Sequence, residues 1–243
     1  MAEVGMDTVG IQCSKRHSTG RVQVHLEQGV HRFEILSEQA YDYIHPALVR
    51  MITLSSNPAL VYFGTLSQRL PVSARALKSV LRSTNAPKFL DINLRAPWYE
   101  EQTIMQSLHD ADVAKLNDAE LAEISRMFSL EGQDSRSQAE ALMQRFDLDQ
   151  ILVTCGEAGA WHMNRSGKTI EVSAKQPGIK LVDTVGAGDG FAAVCMLGTL
   201  QRWPMARILE RANAFAASLC EIRGAIPDGA DFYEPFVREW WTQ

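Results

Sequence analysis

The chain has 243 residues, of which 46% are hydrophobic, and 24 Lys and Arg against 29 Asp and Glu give it a net charge of −5. This length suits one large α/β domain or one domain with a small appendage, and the apolar share excludes a disordered chain. The acidic balance offers no basic field for nucleic acid, and no apolar run is long enough for a membrane span. Without a signal peptide pattern, we expect a cytoplasmic protein with neither of these partners.

The first forty residues have the alternating pattern of β structure. Apolar and polar side chains alternate over residues 21–26 and again over residues 31–35, and Glu27-Gln28-Gly29 between them favours a turn. The alternation predicts a β-hairpin with one face in water.

Beyond Pro46, short apolar runs alternate with segments of helical spacing. The predicted strands are residues 59–63, 88–92, 111–116 and 150–154. The predicted helices are residues 71–83, 100–109, 118–128 and 135–146. Strands that alternate with helices predict βαβ units and a parallel sheet, which defines the fold class as α/β.

Several of these strands end in polar residues or glycine. They are Gly64, Asp91 with Asn93, Asn117, and Thr154 with Gly156. Ligands of parallel sheets bind beyond the carboxyl ends of the strands, so these residues are candidates for one shared cleft. The alternative for each residue by itself is an ordinary loop position.

The last third of the chain begins with a second predicted hairpin, residues 159–163 and 169–172, and continues with predicted helices at residues 186–201, 204–222 and 231–241. The turn Gly186-Ala187-Gly188 leads into the first of these helices. Small residues allow close approach to a backbone whose free N–H groups bind anions, typically phosphate.

Asp189 follows this turn directly. A carboxylate in the first turn of a helix can be a simple cap. A phosphoryl transferase, however, needs a base for the acceptor hydroxyl beside a cradle for the phosphoryl group. The four residues Gly186 to Asp189 supply both.

The stretch from Asp183 to Phe191 resembles the C-terminal signature of the ribokinase/PfkB family of carbohydrate kinases. Other segments resemble family motifs in the same order along nearly the whole chain. They are Tyr62-Phe63-Gly64-Thr65-Leu66 and Asp91-Ile92-Asn93-Leu94-Arg95, both similar to the fructokinase branch, then Asn117-Asp118-Ala119-Glu120, and Thr154-Cys155-Gly156-Glu157-Ala158-Gly159. The resemblance implies a ribokinase-like three-layer α/β/α fold with a mostly parallel Rossmann-like sheet and a small β lid.

The resemblance also implies roles for residues at the transfer site. Asp189 would deprotonate the sugar hydroxyl, and the amides of Gly186, Ala187 and Gly188 would hold the migrating phosphoryl. Arg95 would reach the sugar or its phosphate side, unless it forms a surface ion pair.

ATP, Mg²⁺ and K⁺ are the cofactors that the resemblance implies. Asn117 and Glu120 would position Mg²⁺ through water, because this ion releases its waters reluctantly. The ATP groove would be lined by Thr154, Gly156 and Gly159, with Asn213 beside the adenine. Asp183 and the carbonyl of Val185 would face the monovalent cation.

By the same resemblance, residues 1–38 are the remnant of an N-terminal region that includes the lid hairpin, and residues 39–243 are a nucleotide-binding kinase domain. The lid would also contact a second copy in a homodimer. An ordinary hairpin on the main domain is the alternative.

Family members normally begin about sixty residues earlier, with the first Rossmann strand and a Gly-Gly-x-x-Asn segment that grips the sugar. Residues 1–4 have the pattern of a helix tail. The sequence is then either a fragment of a normal kinase, or one that starts from a downstream Met, or a genuine short member. By itself, we expect it to phosphorylate sugars poorly or not at all, because part of the sugar grip is missing.

The predicted function is that of an ATP-dependent fructokinase-like kinase that transfers the γ-phosphoryl to a hexose hydroxyl. Two alternatives remain open. One is a 2-keto-3-deoxygluconate or nucleoside kinase, and the other is a catalytically silent nucleotide-binding protein.

Overall fold

The computed structural model describes residues 5–27, 30–174 and 181–241, and the predicted helix tail at residues 1–4 lies outside these ranges. The chain divides into two compact units, the first ending at Ala111 and the second beginning at Asp112. The predicted division after residue 38 stays a prediction. In the part of the chain that the structure describes, no helix is both long and apolar enough to cross a membrane.

The first unit contains a hairpin, a parallel strand pair and three helices. In chain order they are β1 (Val22–Glu27), β2 (Val30–Ile35), α1 (Pro46–Ser56), β3 (Val61–Gly64), α2 (Pro71–Arg82), β4 (Lys88–Asp91) and α3 (Glu101–His109). The antiparallel register of the hairpin pairs Val22 with Ile35 and Glu27 with Val30. The hairpin is therefore as predicted, although Gln28 and Gly29 of its predicted turn lie outside the described residues.

Strands β3 and β4 are parallel, with Val61 opposite Lys88 and Gly64 opposite Asp91. Each strand contributes apolar side chains to a buried core that α3 also enters. Its members include Phe63, Phe89, Leu90, Ile92, Ile104 and Leu108. This register places the carboxyl ends of β3 and β4 side by side.

Helix α1, which packs on α2, is not among the predicted elements. Pro46 occupies its first turn, where a missing N–H costs nothing. Leu48, Met51 and Leu54 nevertheless lie exposed on the helix. A helix is predicted from the difference between an apolar buried face and a polar exposed face. The apolar residues on the exposed face of α1 remove this difference.

The second unit consists of four strands and five helices within its described residues. They are β5 (Val113–Asn117), α4 (Asp118–Met127), α5 (Ser135–Phe146), β6 (Gln150–Thr154), β7 (Ala160–Asn164), β8 (Thr169–Val172), α6 (Ala187–Leu200), α7 (Met205–Leu219) and α8 (Glu234–Trp241). Strand order is β5-β6-β7-β8. The pair β5–β6 is parallel, and the two later pairs are antiparallel.

Helix α6 is apolar on nearly all sides, and this character fits its burial. Phe191, Ala192, Val194 and Cys195 are all at most 3% exposed. Helix α7 packs along it, and a Cβ on Gly190 would collide with Leu219 of that helix. From Gly190 onward, α6 is thereby anchored in the interior of the second unit.

The predicted α/β class is confirmed, with the predicted strands and helices shifted by only a few residues at their ends. One difference concerns the C-terminus. The predicted helix over residues 231–241 starts as a 3₁₀ turn at Ala230–Phe232, and only Glu234–Trp241 is α-helical.

Candidate active site

A cleft of about 260 Å³ opens in the first unit where β3 and β4 end. It is lined by Tyr41, Tyr62, Gly64, Thr65, Leu66, Ser67, Asp91, Asn93 and Arg95. Gly64, Asp91 and Asn93 are among the strand-end residues proposed for a cleft, and they line this one together with Arg95.

Hydrogen bonds fix the floor of this cleft. The Tyr62 hydroxyl donates to Asp91 Oδ2 over 3.2 Å, and Asp91 is only 1% exposed. Buried Thr65 donates from Oγ1 to the carbonyl of Ile92 over 2.8 Å. These polar groups of the cleft are therefore already oriented before a ligand enters.

A buried ion pair lies next to the cleft. Arg69 donates from Nε and Nη2 to the two carboxylate oxygens of Asp42 over 2.8 and 2.7 Å, with side-chain exposures of 4% and 0%. The hydrogen bond to Asp42 raises the pKa of Arg69 further, so the guanidinium stays charged. The same guanidinium lies over the rings of Trp98 and Tyr41, at 4.5 and 5.1 Å from their centroids.

Tyr41 connects this ion pair to the cleft, since it lines the cavity and its ring lies against Arg69. Its hydroxyl is buried and has no hydrogen-bond partner within the described residues, and burial raises the pKa of this phenol. Sequence reasoning missed Tyr41, because nothing in the local pattern distinguishes it from a packing residue.

Arg95 is exposed at the cleft, on the turn that follows β4. Its carbonyl accepts a hydrogen bond of 2.7 Å from the amide of Trp98 across the cis peptide Ala96–Pro97. Asn93 nearby has a left-handed backbone, with φ of 42°. The cleft thus combines one cation with several hydroxyl and amide groups, a set that suits a polyol or an anionic sugar.

In the second unit, the Gly186-Ala187-Gly188 turn lies at the N-terminus of α6. Gly186 is the N-cap residue with φ of 87°, and a Cβ there would lie 2.7 Å from the Cα of Ala225. Only glycine fits both the backbone angle and the space. Asp189 is exposed in the first turn of the helix. The carboxylate is accordingly open to a ligand rather than packed inside.

Asp183 ties the segment before this turn to the loop at Gly224. Its two carboxylate oxygens accept hydrogen bonds from the amides of Val185 and Gly224, each over 3.0 Å. These bonds, with that from Val185 the strongest, lower the pKa of Asp183. The group is therefore an anion held in place by the amides of Val185 and Gly224.

Asn117 and Glu120 form a capping box at the start of α4. Asn117 Oδ1 accepts from the Glu120 amide over 2.8 Å, and Glu120 Oε2 accepts from the Asn117 amide over 2.9 Å. The box fixes both side chains at the carboxyl end of β5, where Asn117 pairs with Thr154 of β6.

No three His, Cys, Asp or Glu side chains gather into a metal site in the described parts of the chain. The single carboxylate of Glu120, in the first turn of α4, still fits Mg²⁺, which is bound by one or two carboxylates together with substrate phosphates and water.

The segment from Thr154 to Gly159 turns tightly after β6. Gly156 has φ of 53° and open space where a side chain would be, so a ligand can approach its backbone. Gly159 has φ of 106°, and a Cβ there would collide with the carbonyl of Val172. The same carbonyl accepts a hydrogen bond of 3.3 Å from Asn213 of α7. Asn213 thus has a structural contact whatever its role toward adenine.

The predicted site residues are distributed over both units. Arg95 belongs to the first unit, and all others lie in the second, on the loops after β5 and β6, around the N-terminus of α6, and on α7. Sequence reasoning also missed Lys115, which is 6% exposed on β5 and has its Nζ beside Gly188. A lysine within an apolar strand is the signal that could have revealed it.

Comparison with known proteins identifies related sequences and folds. Residues 1–231 match the model of the pfkB family carbohydrate kinases. A ribokinase of Arabidopsis thaliana is 34% identical over 125 residues, which are 51% of this chain and 32% of that protein. A 2-dehydro-3-deoxygluconokinase of Haemophilus influenzae is 23% identical over 233 residues, or 92% of this chain and 74% of that protein.

Among solved structures, a fructokinase of Xylella fastidiosa with bound ATP superposes with a TM-score of 0.81 at 19% identity. This match covers 98% of the present chain and 79% of that chain. The predicted ribokinase-like fold is thereby confirmed. The chain spans about a third of the Arabidopsis ribokinase.

Proposed function

Because this chain belongs to the pfkB family of carbohydrate kinases, we propose that it transfers the γ-phosphoryl group of ATP to a hydroxyl of a sugar, as a fructokinase does. The observation that carries this proposal is the Gly186-Ala187-Gly188 turn at the N-terminus of α6, with Asp189 exposed in the first helical turn.

The turn suits a phosphoryl group for two physical reasons. The first amides of α6 have no partners within the helix, and the helix dipole places about half a positive charge at this end. Gly188 is exposed and has no side chain, so phosphoryl oxygens can approach the amides of the turn at this residue. Backbone donors are fixed before the reaction and cost no reorganisation when charge shifts.

Asp189 acts as the base in the transfer step. Its carboxylate takes the proton of the acceptor hydroxyl, whose oxygen attacks the γ-phosphorus. The bond from that phosphorus to the β,γ-bridging oxygen breaks, and its electron pair leaves with ADP. Asp189 then releases the proton to solvent.

ATP would lie along the segment from Thr154 to Gly159, where Gly156 leaves space beside its backbone. Asn117 and Glu120, held rigid by their capping box, would orient Mg²⁺ through water. When bound, Mg²⁺ neutralises part of the phosphate charge. Asp183, whose carboxylate the Val185 amide holds in place, would face K⁺ together with the carbonyl of Val185.

The cleft of the first unit is the proposed acceptor site. Asp91, Asn93 and Ser67 line the cleft and can exchange hydrogen bonds with sugar hydroxyls. A second candidate acceptor is 2-keto-3-deoxygluconate. Arg95 favours it, since a guanidinium on the cleft can form a bidentate pair with a carboxylate.

The test is ADP release with Mg²⁺, K⁺ and a panel of fructose, ribose and 2-keto-3-deoxygluconate. We expect slow turnover with one of these acceptors, a loss of about 10³-fold in Asp189→Asn, and ATP affinity within about twofold of wild type. Arg95→Met should lower kcat/KM about 30-fold for the acid and leave fructose nearly unchanged.

Retained turnover in Asp189→Asn would contradict the proposed base. A chain that binds ATP but transfers to no acceptor is the silent nucleotide-binding alternative, and that result would refute the kinase proposal. Arg75→Met, which removes an exposed arginine of α2 in the same unit, is the control for the loss of charge alone.

A further inference from the structure

An arginine of α5 lies over a buried tryptophan of β7 in the second unit. The guanidinium carbon of Arg136 is 3.7 Å from the ring centroid of Trp161, which is only 3% exposed. Arg136 Nη2 donates to Glu171 Oε2 over 2.6 Å, while its buried Nη1 has no hydrogen-bond partner among the described residues. Since the Glu171 side chain is 65% exposed, water screens this ion pair, and we expect the ring to hold the guanidinium more firmly.

The register of the sheet connects this contact to the end of β6. Trp161 pairs with Val153 of β6 on one side and with Glu171 of β8 on the other, and paired residues share one face of a sheet. Cys155 follows Val153 by two residues, so it belongs to the same face. The indole N–H of Trp161 donates a hydrogen bond to the Cys155 sulfur. Arg136, Trp161 and Cys155 thus form one continuous row of contacts.

Cys155 closes the turn that the proposed function assigns to the nucleotide. Its amide donates to the carbonyl of Gly159 over 2.8 Å, and its carbonyl accepts from the amide of Ala158 over 3.0 Å. Gly156, the next residue, has φ of 53° and open space where a side chain would be. Because no side chain of its own holds Gly156, the path of its backbone depends on the position of Cys155.

From these contacts, and resting on the proposed kinase function, we propose that Arg136 is a positioning residue for nucleotide binding. Its guanidinium orients the indole of Trp161, the indole N–H orients Cys155, and Cys155 holds the backbone of Gly156 in the path that receives the nucleotide. Arg136 acts on the turn and not on the transferred phosphoryl group. ATP and ADP should therefore depend on it equally, and the transfer step should not.

The test measures the binding of AMP-PNP and of ADP, each with Mg²⁺, by calorimetry. In Arg136→Met, which removes the planar cation, we expect both affinities to fall about fivefold, the KM for ATP to rise by the same factor, and kcat and the acceptor KM to stay unchanged. Arg136→Lys keeps the charge without the plane and should recover part of the loss. Arg145→Met is the control, since Arg145 of the same helix also lies over aromatic rings, those of Phe128 and Phe146, and should leave both affinities unchanged.

A double-mutant cycle tests whether the effect passes through the indole. Trp161→Phe keeps a ring for the guanidinium but removes the N–H donor, and Cys155→Ala removes the acceptor. If the hydrogen bond transmits the effect, the double variant should bind AMP-PNP about as weakly as either single variant. Thermal unfolding of each variant gives the temperature range in which all of them are folded, and the affinities are compared within that range.

Three results would overturn the role of Arg136. They are unchanged nucleotide affinities in Arg136→Met, equal losses in Arg136→Met and Arg145→Met, and additive losses in the double-mutant cycle. Turnover by the wild-type chain would leave the kinase proposal intact in each case. A wild-type chain with no turnover but with the expected affinity losses would refute only the kinase activity. A wild-type chain that binds neither nucleotide would overturn both proposals.

Discussion

The cleft of the first unit presents side chains to a ligand, whereas the turn Gly186-Ala187-Gly188 of the second unit, called the anion turn below, presents backbone groups. The cleft presents side chains, among them Tyr62 and Asp91, which a hydrogen bond joins, and Tyr41, which packs on the buried Arg69–Asp42 pair. The turn presents backbone amides, positioned by the N-cap geometry of Gly186. Substitution of side chains can change which acceptor the cleft binds. Backbone amides, by contrast, recognise any phosphoryl group, and they are accessible only where no side chain covers them.

The largest expected effect tests the backbone side of this comparison. Gly186→Ala combines a φ of 87° with a contact of 2.7 Å to the backbone of Ala225, so the turn must shift. We expect kcat/KM to fall about 10³-fold, as on loss of preorganised oxyanion donors. Steady-state ADP release measures this effect.

Gly167→Ala is the matched control, since Gly167 also has a positive φ, of 76°, but has open space around it. Its cost should be about 1 kcal/mol of stability with unchanged turnover. Equal turnover losses in the two variants would mean that backbone strain, and not the anion turn, sets the activity.

The next effect tests the side-chain scaffold of the cleft. Arg69→Met leaves the Asp42 carboxylate buried without its partner, and we expect the free energy of unfolding to fall by about 3 kcal/mol. Urea denaturation measures it. The double variant Arg69→Met with Asp42→Leu removes both charges and should regain most of the loss. A double variant as unstable as the single one would show that packing on Trp98 and Tyr41 is the dominant contribution.

The smallest effect concerns two capping boxes of similar geometry. Asn117→Ala and Asp134→Ala each remove an N-cap side chain that accepts a backbone hydrogen bond of 2.8 Å, at the starts of α4 and α5. Each should cost about 1 kcal/mol of stability in thermal unfolding. Only Asn117→Ala should also raise the Mg²⁺ concentration needed for turnover. If both variants showed the same Mg²⁺ dependence, Asn117 would have only the structural role of a helix cap.

Much of this molecule is readable from its sequence where local pattern and tertiary packing agree. The alternation of β1 and β2, the apolar runs of β5 and β6, and the glycine turn before α6 all predict their elements. Helix α1 is the exception, because its exposed Leu48, Met51 and Leu54 hide the helical period.

The candidate site divides in the same way. Motifs whose residues are contiguous in sequence, such as Gly186 to Asp189, can be recognised from the sequence alone. Tyr41 reaches its place only through the packing of distant segments, and nothing in its neighbouring sequence distinguishes it. Lys115 stands out in the sequence as a lysine within an apolar strand, but its proximity to Gly188 is visible only in the fold. The roles of the predicted site residues stay predictions until the variants above are measured.

Gly159 has a consequence for how this chain tolerates mutation. Gly159 has a φ of 106°, and the Val172 carbonyl occupies the volume that a Cβ would need. If position 159 is varied to all amino acids and variants are selected only for folding, we expect only glycine to survive. Gly156 has open space around it, so we expect variants with asparagine or aspartate at position 156 to survive selection for folding. The same variants should disappear when the selection requires ATP-dependent activity. Sequencing the two survivor pools would therefore separate a glycine retained for architecture from a glycine retained for its ligand.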